Sequence, residues 1–387
     1  YMPDSNADVA QSVLDAGAVV FGKTNLPLFG MDTQSFNAVY GQTDNPWDTS
    51  RTPGGSSGGA AAALAAGLTA LEIGNDIGGS IRLPAHFCGI YGHKPSYAIV
   101  SMHGPRMPLS PVMTGLPVDM DLAVNGPLAR SAEDLMLAMD VIVGAPAYQR
   151  KAIRIDLPEP RRSTLSDFNV GVWMDDPLFP PDDEVSAVLG DFIDRLGKAG
   201  VRLLDRKPDI DLKRSHDLRN TLETATLCHE QPGEIWDWAV KHRDVDDRKS
   251  RAWARNMTMR HRDWNLLNAE RWVIRQKWDD YFKEVDVMLC PVARIPAHPH
   301  DHTPIQNRTV RLNDETLEYW PVIGPWNSLS LLAYLPATVA PAGFTPSGLP
   351  VGIQIVGPYL EDLTPIRFAV ELEREVIGPY QLPPAFQ

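Results

Sequence analysis

The sequence predicts an α/β protein in which helices cover a mixed central β-sheet within one large domain. Stretches with the two-residue repeat of strands alternate with stretches that have the 3.6-residue repeat of helices. Hydrophobic residues make up 43% of the 387 positions, which is enough for a sizeable core. The chain shows neither an internal repeat nor a flexible linker, so a single unit over residues 1–387 is favoured over separate domains.

The first part of the chain predicts short elements joined by ordered loops. Residues 6–16 have the pattern of an amphipathic helix, and "AVVFG" at 18–22 has that of a strand. Residues 31–53 are rich in Asn, Asp, Thr and Pro, which indicates a loop. Small side chains predict a closely packed helix over residues 60–68. Ser131 is predicted to cap the amphipathic helix that follows it.

The remaining sequence predicts a βαβ unit and then a helical region. "FNVGVWM" and "VRLLD" are typical of strands, and they flank a predicted helix over residues 183–198, which favours a mixed or parallel sheet. Residues 207–283 predict mostly helix. "VDVMLCP" and "LPVGIQIVG" predict further strands, and residues 362–376 predict the last helix.

Composition and charge argue against several classes of function. A net charge of −13, from 36 basic and 49 acidic residues, is unsuited to a phosphate backbone, so no nucleic-acid partner is expected. No apolar run is long enough to span a membrane. The cysteines are widely spaced and odd in number, which predicts reduced thiols and a cytoplasmic location; they are Cys88, Cys228 and Cys290.

Two glycine clusters carry the candidate chemistry. The first, "RTPGGSSGG" at residues 51–59, contains two serines among four glycines. Because glycine loses more backbone freedom on folding than any other residue, such a cluster indicates that the backbone geometry requires glycine there. The second, "GNDIGGSIRLPA" at residues 74–85, places Ser80 24 positions after Ser56. The two glycines before Ser80 would let successive amides converge on a developing oxyanion. A serine beside such amides can act as a nucleophile if a base activates it.

Taken alone, the first cluster is also compatible with a tight turn, a phosphate-binding loop or the nucleophile elbow of lipases. A phosphate-binding loop needs a G-K-[ST] sequence, which is absent. An elbow needs a preceding strand, and "NPWDTSRTP" is not typical of one. The combination with "DIGGSIR" at this spacing therefore favours catalysis.

The block "GGSSGGAAAALAAGLTALEIGNDIGGSIRLPA" resembles the signature block of the amidase signature family of serine hydrolases. The segments "DAGAVVFGKTNLPLFG", "FCGIYGHKPS", "NGPLARSAEDL" and "LPATVAPAGFTPSGLPVGIQIVG" resemble other parts of the same family. The resemblance extends over nearly the whole chain. It implies an α/β domain of the amidase signature type that hydrolyses a carboxylic acid amide, and no cofactor is expected.

The resemblance also implies a role for individual residues in a Ser–cis-Ser–Lys triad. Ser80 matches the nucleophile that becomes acylated, and Ser56 matches the bridging serine on a cis peptide bond. Glycines around Ser56 would allow this unusual backbone path. The resemblance places the oxyanion-hole amides at Ile77, Gly78, Gly79 and Ser80, and the bracing side chains at Ser57, Asp76 and Arg82.

The third member of the triad, a neutral lysine that accepts the proton, has no match in this sequence. The family places it well before the bridging serine, so it is expected upstream of Tyr1. Lys23 and Lys94 match other recurring positions of the family. A chain that truly began at Tyr1 is expected to show little or no turnover, because a serine hydroxyl is a weak nucleophile without a base.

Two rival functions stay open at this point. A tRNA-dependent amidotransferase subunit works in a complex and carries a similar block, but usually has a "DQIGP"-like stretch where this chain has "LAVNGP". A non-catalytic scaffold would keep the fold without the base. The expected partner is a small-molecule amide substrate. Which amide it is stays open, as does the assembly state, for which a homodimer is one option.

Three further features of the sequence are interpreted separately from the triad. The alternately spaced histidines of "HPHDH" lack a set of acidic or cysteine partners, which favours a loop over a metal site; they are His298, His300 and His302. Glu72 stands where the family usually has a small residue, and no role is assigned to it. Cys88 is interpreted as a packed apolar residue rather than a reactive thiol.

Overall fold

A computed structural model describes residues 3–104, 120–228, 231, 233–244 and 248–387, and in it a central β-sheet separates layers of helices. The strands of the described residues are β1 (Phe36–Asn37), β2 (Gly41–Gln42), β3 (Leu71–Asp76), β4 (Tyr91–Lys94), β5 (Val124–Ala129), β6 (Asn169–Val172), β7 (Arg202–Leu204), β8 (Val287–Pro291), β9 (Thr309–Leu312), β10 (Glu315–Glu318), β11 (Ala337–Phe344) and β12 (Pro350–Val356). The helices are α1 (Asp8–Asp15), α2 (Gly58–Ala65), α3 (Arg82–Cys88), α4 (Ala132–Ile142), α5 (Asp183–Lys198), α6 (Leu212–Leu227), α7 (Gly233–His242), α8 (Arg248–Met257), α9 (His261–Tyr281), α10 (Trp320–Ile323), α11 (Pro325–Leu332) and α12 (Leu363–Leu372).

Eight of these strands form the central sheet, in the order β3–β5–β4–β11–β12–β8–β6–β7. β6 runs parallel to β7 and to β8, whereas the other neighbouring pairs are antiparallel, so the sheet is mixed as predicted. α5 connects β6 to β7 and completes the predicted βαβ unit, in which Val170 lies opposite Leu203. β1 with β2 and β9 with β10 form two separate antiparallel pairs.

Alternate residues of β8 show how the sheet divides the core. Val287 and Leu289 pack with residues of α4, α5 and α12 on one face of the sheet. Met288 and Cys290 pack with residues of α6, α9 and α11 on the other face. All four side chains are fully buried. Because successive side chains of a strand point to opposite faces, a strand that is apolar at every position must be covered on both sides. The predicted single α/β domain is confirmed.

Most predicted elements lie close to their expected positions. α5 spans the predicted residues 183–198. Ser131 caps α4 by accepting a hydrogen bond from the amide of Asp134 at 3.1 Å. The predicted helical region 207–283 contains α6 to α9, and its residues 229–230, 232 and 245–247 lie outside the described residues. In the part of the chain that the structure describes, no helix has both the length and the apolar character needed to cross a bilayer.

The strand predicted at residues 18–22 is wrong. This segment has no regular secondary structure and pairs with no described strand. Val19 is 84% exposed and Phe21 is 77% exposed. A strand needs a neighbour that accepts and donates its backbone hydrogen bonds, and the described sheet offers this segment none. Local propensity therefore did not suffice to place a strand here.

Three buried histidines make the stability of the fold sensitive to acid. Burial lowers the pKa of His86 and His298 to about 4 and the pKa of His216 to about 3. His86 shows why the neutral ring fits. Its Nδ1 accepts a hydrogen bond from the amide of Gly352 at 2.8 Å, and its Nε2 lies 3.1 Å from the carbonyl oxygen of Ile295. One nitrogen must therefore stay unprotonated for these contacts to persist.

We expect the free energy of unfolding to fall as the pH is lowered from about 6.5 to about 4. In this window the histidines of the unfolded chain bind protons and the buried ones do not, so acid stabilises the unfolded state. Each buried histidine contributes on the order of 2–3 kcal/mol to this change. Urea unfolding across the window checks the expectation. The variant His86→Gln should show a shallower dependence on pH, and a change at the exposed His261, His261→Gln, should not. Equal slopes for His86→Gln and the wild type would contradict the assignment.

Candidate active site

The first glycine cluster forms a tight loop that leads into α2 and holds Ser56 in the interior. The peptide bond between Gly55 and Ser56 is cis, the linkage that the resemblance implies at this position. A Cβ at Gly55 would lie 2.6 Å from the amide nitrogen of Gln34, so only glycine fits there. Ser56 is 9% exposed. The close approach of two backbone segments explains why glycine is concentrated here.

Ser35 braces this loop from a neighbouring segment. Its hydroxyl lies 3.1 Å from the carbonyl oxygen of Gly54 and 3.2 Å from that of Ser56. The same hydroxyl accepts a hydrogen bond from the amide of Gly58 at 3.0 Å. The side chain is buried. Because a polar loop has no pattern that identifies such a contact, Ser35 was not predicted from the sequence.

The second glycine cluster follows β3 and brings Ser80 next to the first cluster. Gly79 has a φ of +106°, a conformation that favours glycine, and a Cβ there would lie 3.0 Å from Cγ of Asn327. The amide of Ser57 donates to the carbonyl oxygen of Ser80 at 3.2 Å, so the two loops are in direct main-chain contact. Ser80 is buried, like Ser56. Two serine segments that are distant in sequence therefore share one site.

The backbone amides around Ser80 differ in what they bind. The amide of Gly79 donates to Oδ1 of Asp76 at 2.9 Å. Within the described residues, no hydrogen bond has the amide of Ile77, Gly78 or Ser80 as its donor. Three of the four amides implied for the oxyanion hole are thus available to a substrate oxygen, whereas the fourth holds the loop in place.

Asp76 and Arg82 form a buried ion pair beneath this second loop. Nε and Nη2 of Arg82 lie 2.9 and 2.8 Å from the two carboxylate oxygens, and neither side chain is exposed. The amide of Ile81 also donates to Asp76, at 3.2 Å. Burial by itself raises the pKa of Asp76, but the charge and hydrogen bonds of Arg82, the charge of Lys94 and the amide of Gly79 together lower this pKa below its usual value. The backbone that carries Ser80 is therefore anchored to a charged pair.

The remaining contacts of Arg82 come from the far end of the chain. Its Nη1 lies 2.9 Å from the carbonyl oxygen of Asn327, 2.9 Å from Oγ of Ser330 and 2.8 Å from Oε1 of Gln354. The first two residues belong to α11 and the third to β12. None of these three residues was predicted from the sequence. Polar residues inside strongly apolar segments were the available signal, since buried polar groups are nearly always hydrogen-bonded.

Lys94 lies in the same charged region without contacting the serines. Its Nζ donates to the carbonyl oxygen of Pro95 at 2.8 Å. Burial, followed by the positive charge of Arg82, lowers the pKa of Lys94 to about 7. Among the described residues, no hydrogen bond joins Lys94 to Ser56 or Ser80. The geometry therefore gives this lysine no direct path to the candidate nucleophile.

Each of the three histidines of "HPHDH" has its own protein contact. His298 is buried, and its Nε2 lies 2.9 Å from the hydroxyl of Tyr319. Nε2 of His300 lies 3.2 Å from a carboxylate oxygen of Asp44. The ring of His302 stacks on a phenylalanine ring with a centroid distance of 4.1 Å. The three rings therefore point to three different neighbours instead of one shared centre.

Cys88 and Glu72 lie near the site without joining it. Cys88 is fully buried, its Sγ lies 3.4 Å from the carbonyl oxygen of Pro53, and burial raises the pKa of its thiol. A buried protonated thiol behaves as a packed apolar group, in agreement with the sequence interpretation. Glu72 lies on the edge strand β3, where burial raises the pKa of its carboxyl group.

Together these contacts define what the site can do chemically. They bring together two buried serine segments, three amides without intramolecular acceptors among the described residues, and a supporting ion pair. A hydroxyl beside converging amides can attack a carbonyl carbon while the amides stabilise the charge that develops on the oxygen. The arrangement is suited to acyl transfer.

Known proteins share both sequence and fold with this chain. The family model described as amidase matches residues 1–364. A glutamyl-tRNA(Gln) amidotransferase subunit from Saccharolobus solfataricus is 31% identical, and the match covers 99% of this chain and 80% of that protein. Its counterpart of the same name from Methanosarcina acetivorans is 30% identical, with 99% and 81% covered.

Two solved structures show the same fold. The glutamyl-tRNA(Gln) amidotransferase subunit of this type from Thermotoga maritima has a TM-score of 0.78 at 25% identity, and the match covers 99% of this chain and 80% of that one. A bacterial aryl acylamidase of the amidase signature family has a TM-score of 0.76 at 22% identity, with 97% and 76% covered. At this level of identity, the second likeness concerns the fold alone.

Proposed function

Because the chain belongs to the amidase signature family, we propose that it hydrolyses an amide of a carboxylic acid through a seryl acyl-enzyme. The observation that carries this proposal is the main-chain contact between the two serine loops, in which the amide of Ser57 donates to the carbonyl oxygen of Ser80 at 3.2 Å. The neighbouring amides without acceptors support it further, since acyl transfer needs donors directed at the oxygen of the reacting carbonyl.

In the proposed reaction, Oγ of Ser80 attacks the carbonyl carbon of the amide while its proton passes through Ser56 to a base. The amides of Ile77, Gly78 and Ser80 stabilise the resulting oxyanion. The C–N bond breaks as Ser56 returns a proton to the leaving nitrogen, which departs as an amine or ammonia. Water then hydrolyses the ester, releasing the acid and restoring the serine.

We propose that the base is the lysine which the family resemblance places before Tyr1. Lys94 is a poor alternative, because its Nζ is already bound to the carbonyl oxygen of Pro95. The roles proposed for Asp76 and Arg82 are those of positioning residues, since they hold the loop of Ser80 and contact no reacting atom. Experiments on activity therefore require the full-length protein.

A fluorophosphonate probe tests this proposal, since it phosphonylates serines that are activated as nucleophiles, with release of fluoride. We expect one adduct per folded chain, located by peptide mass spectrometry on the peptide that contains Ser80. Heat-unfolded protein is the control and should not be labelled. An adduct on Ser56 would reverse the two serine roles, and full-length folded protein that fails to react would contradict the proposal.

A second candidate function is participation in a tRNA-dependent amidotransferase complex. The names of the relatives at 30–31% identity favour it. The stretch "LAVNGP", which leads into β5, differs from the sequence usual for such subunits and favours the first candidate. Glutaminase activity together with a co-purifying partner protein would establish the second function in place of the first.

A further inference from the structure

One face of α6 places a carboxylate–guanidinium ion pair against the second glycine cluster, which contains the candidate oxyanion-hole amides. A Cβ at Gly78 would lie 3.1 Å from Oε1 of Glu223 and 3.8 Å from Nη1 of Arg219. These two residues are one helical turn apart on α6, and Nη1 of Arg219 donates to Oε2 of Glu223. Neither residue belongs to the site predicted from the sequence, and the proposed reaction does not use them.

Arg219 is anchored to α11, whereas Glu223 has a carboxylate oxygen without a hydrogen-bond donor among the described residues. Arg219 is fully buried, and its Nε lies 3.2 Å from Oγ of Ser328 on α11. In the described part of the chain, Nη2 of Arg219 has no hydrogen-bond partner, and no donor binds Oε1 of Glu223. The Glu223 side chain is 15% exposed. A Cβ at Gly324 would lie 3.3 Å from Nη2 of Arg219, so the atom open to a ligand beside Gly78 is Oε1 of Glu223, an acceptor.

Charge decides what kind of ligand suits this surface. A carboxylate beside a developing oxyanion opposes the reaction, because like charges repel at short range. The guanidinium of Arg219 offsets the charge of Glu223 and removes this penalty. A cation bound to Oε1 would leave the neighbourhood of Gly78 with a net positive charge, which favours the oxyanion. An anionic group would instead face the carboxylate of Glu223.

We propose that Glu223, held in place by Arg219, binds an ammonium group of the substrate and so selects amino-substituted amides over uncharged ones. The proposal rests on the proposed function, because it locates the acyl group of the substrate beside Gly78. The ammonium donates to Oε1 of Glu223, while the carbonyl oxygen of the amide faces the free amides of the loop.

Two pairs of amides of equal size test the selectivity in the full-length protein. Alaninamide carries an ammonium where isobutyramide carries a methyl group, and 3-aminopropanamide is related to butanamide in the same way. The kcat/KM of the ammonium member should exceed that of its uncharged partner by at least about tenfold in one of the pairs. This comparison needs no variant, so it does not depend on how well a mutant folds.

The variant Glu223→Gln keeps the size of the side chain and removes its charge. It should reduce the preference for the ammonium member to about twofold or less. Glu270→Gln is the matched control. Glu270 also pairs with an arginine of α6, Arg214, but this pair lies on the protein surface, so its loss should leave the preference intact.

The outcomes separate the two proposals. Wild-type protein that reacts with the fluorophosphonate probe and hydrolyses amides without preferring the ammonium members would overturn this inference and leave the proposed function standing. So would Glu223→Gln with an unchanged preference, or with an equal loss for both members of a pair. Wild-type protein that neither reacts with the probe nor hydrolyses an amide would overturn the proposed function and the inference with it.

Discussion

Replacing Ser80 with alanine is expected to lower the kcat of amide hydrolysis by about 10,000-fold or more in the full-length protein, because the proposed reaction loses its nucleophile. Free amides near the loop would still bind a carbonyl oxygen, but no oxygen would form the acyl-enzyme. The fold should tolerate the change, since the hydroxyl of Ser80 makes no hydrogen bond to another described residue. Initial rates and thermal unfolding of the same preparation measure both effects.

An exposed serine away from the site provides the control for Ser80. Ser166 lies outside the two glycine loops, so Ser166→Ala should keep the wild-type rate. Labelling by the fluorophosphonate should disappear in Ser80→Ala and persist in Ser166→Ala. A Ser80→Ala protein that kept more than about a tenth of the wild-type kcat would exclude this serine as the nucleophile.

Replacing Arg82 with methionine is expected to lower the free energy of unfolding by about 3–5 kcal/mol, because a buried carboxylate is left without its cation. Asp76 loses two contacts of 2.9 and 2.8 Å, and the polar groups of Asn327, Ser330 and Gln354 lose a shared donor. Methionine fills a similar volume, so the loss reports mainly on charge and hydrogen bonding. Urea unfolding at neutral pH measures it.

Two further variants make this result specific to the buried guanidinium. Arg82→Lys should be less destabilising than Arg82→Met, since it restores the charge without the planar set of donors that reaches several acceptors at once. Lys283→Met removes one member of the exposed pair with Asp280 and should leave the unfolding midpoint unchanged. Equal midpoints for Arg82→Met and the wild type would show that the pair does not anchor the loop.

The sequence pattern predicted secondary structure correctly where the residues of a segment decide its own conformation. The helix predicted at residues 183–198 has an apolar stripe, which is visible in the sequence without tertiary contacts. In the structure Asp182 caps this helix by accepting a hydrogen bond from the amide of Val185 at 2.8 Å. The strand predicted at residues 18–22 failed, because pairing depends on what lies alongside it.

The candidate site also contains some residues that local sequence identifies and others that only tertiary contacts reveal. Both serines, the two glycine loops and the pair of Asp76 and Arg82 lie within two short segments, so their resemblance to a family identifies them directly. Ser35 and Glu223 reach these loops from other parts of the chain, and nothing in their own neighbourhoods marks them. Such residues become visible only through the contacts they make.

The sequence by itself determined the class of the fold and the two glycine segments that hold the candidate serines, because propensity, periodicity and glycine content are properties of neighbouring residues. The family followed from the resemblance of quoted segments to the amidase signature family. The tertiary structure alone decided that Ser57 bonds to Ser80, that Arg82 reaches Gln354, and that Glu223 borders Gly78. The physical reason is that these contacts join groups whose separation along the chain says little about their distance in space, so packing of the whole sheet and its helices must bring them together.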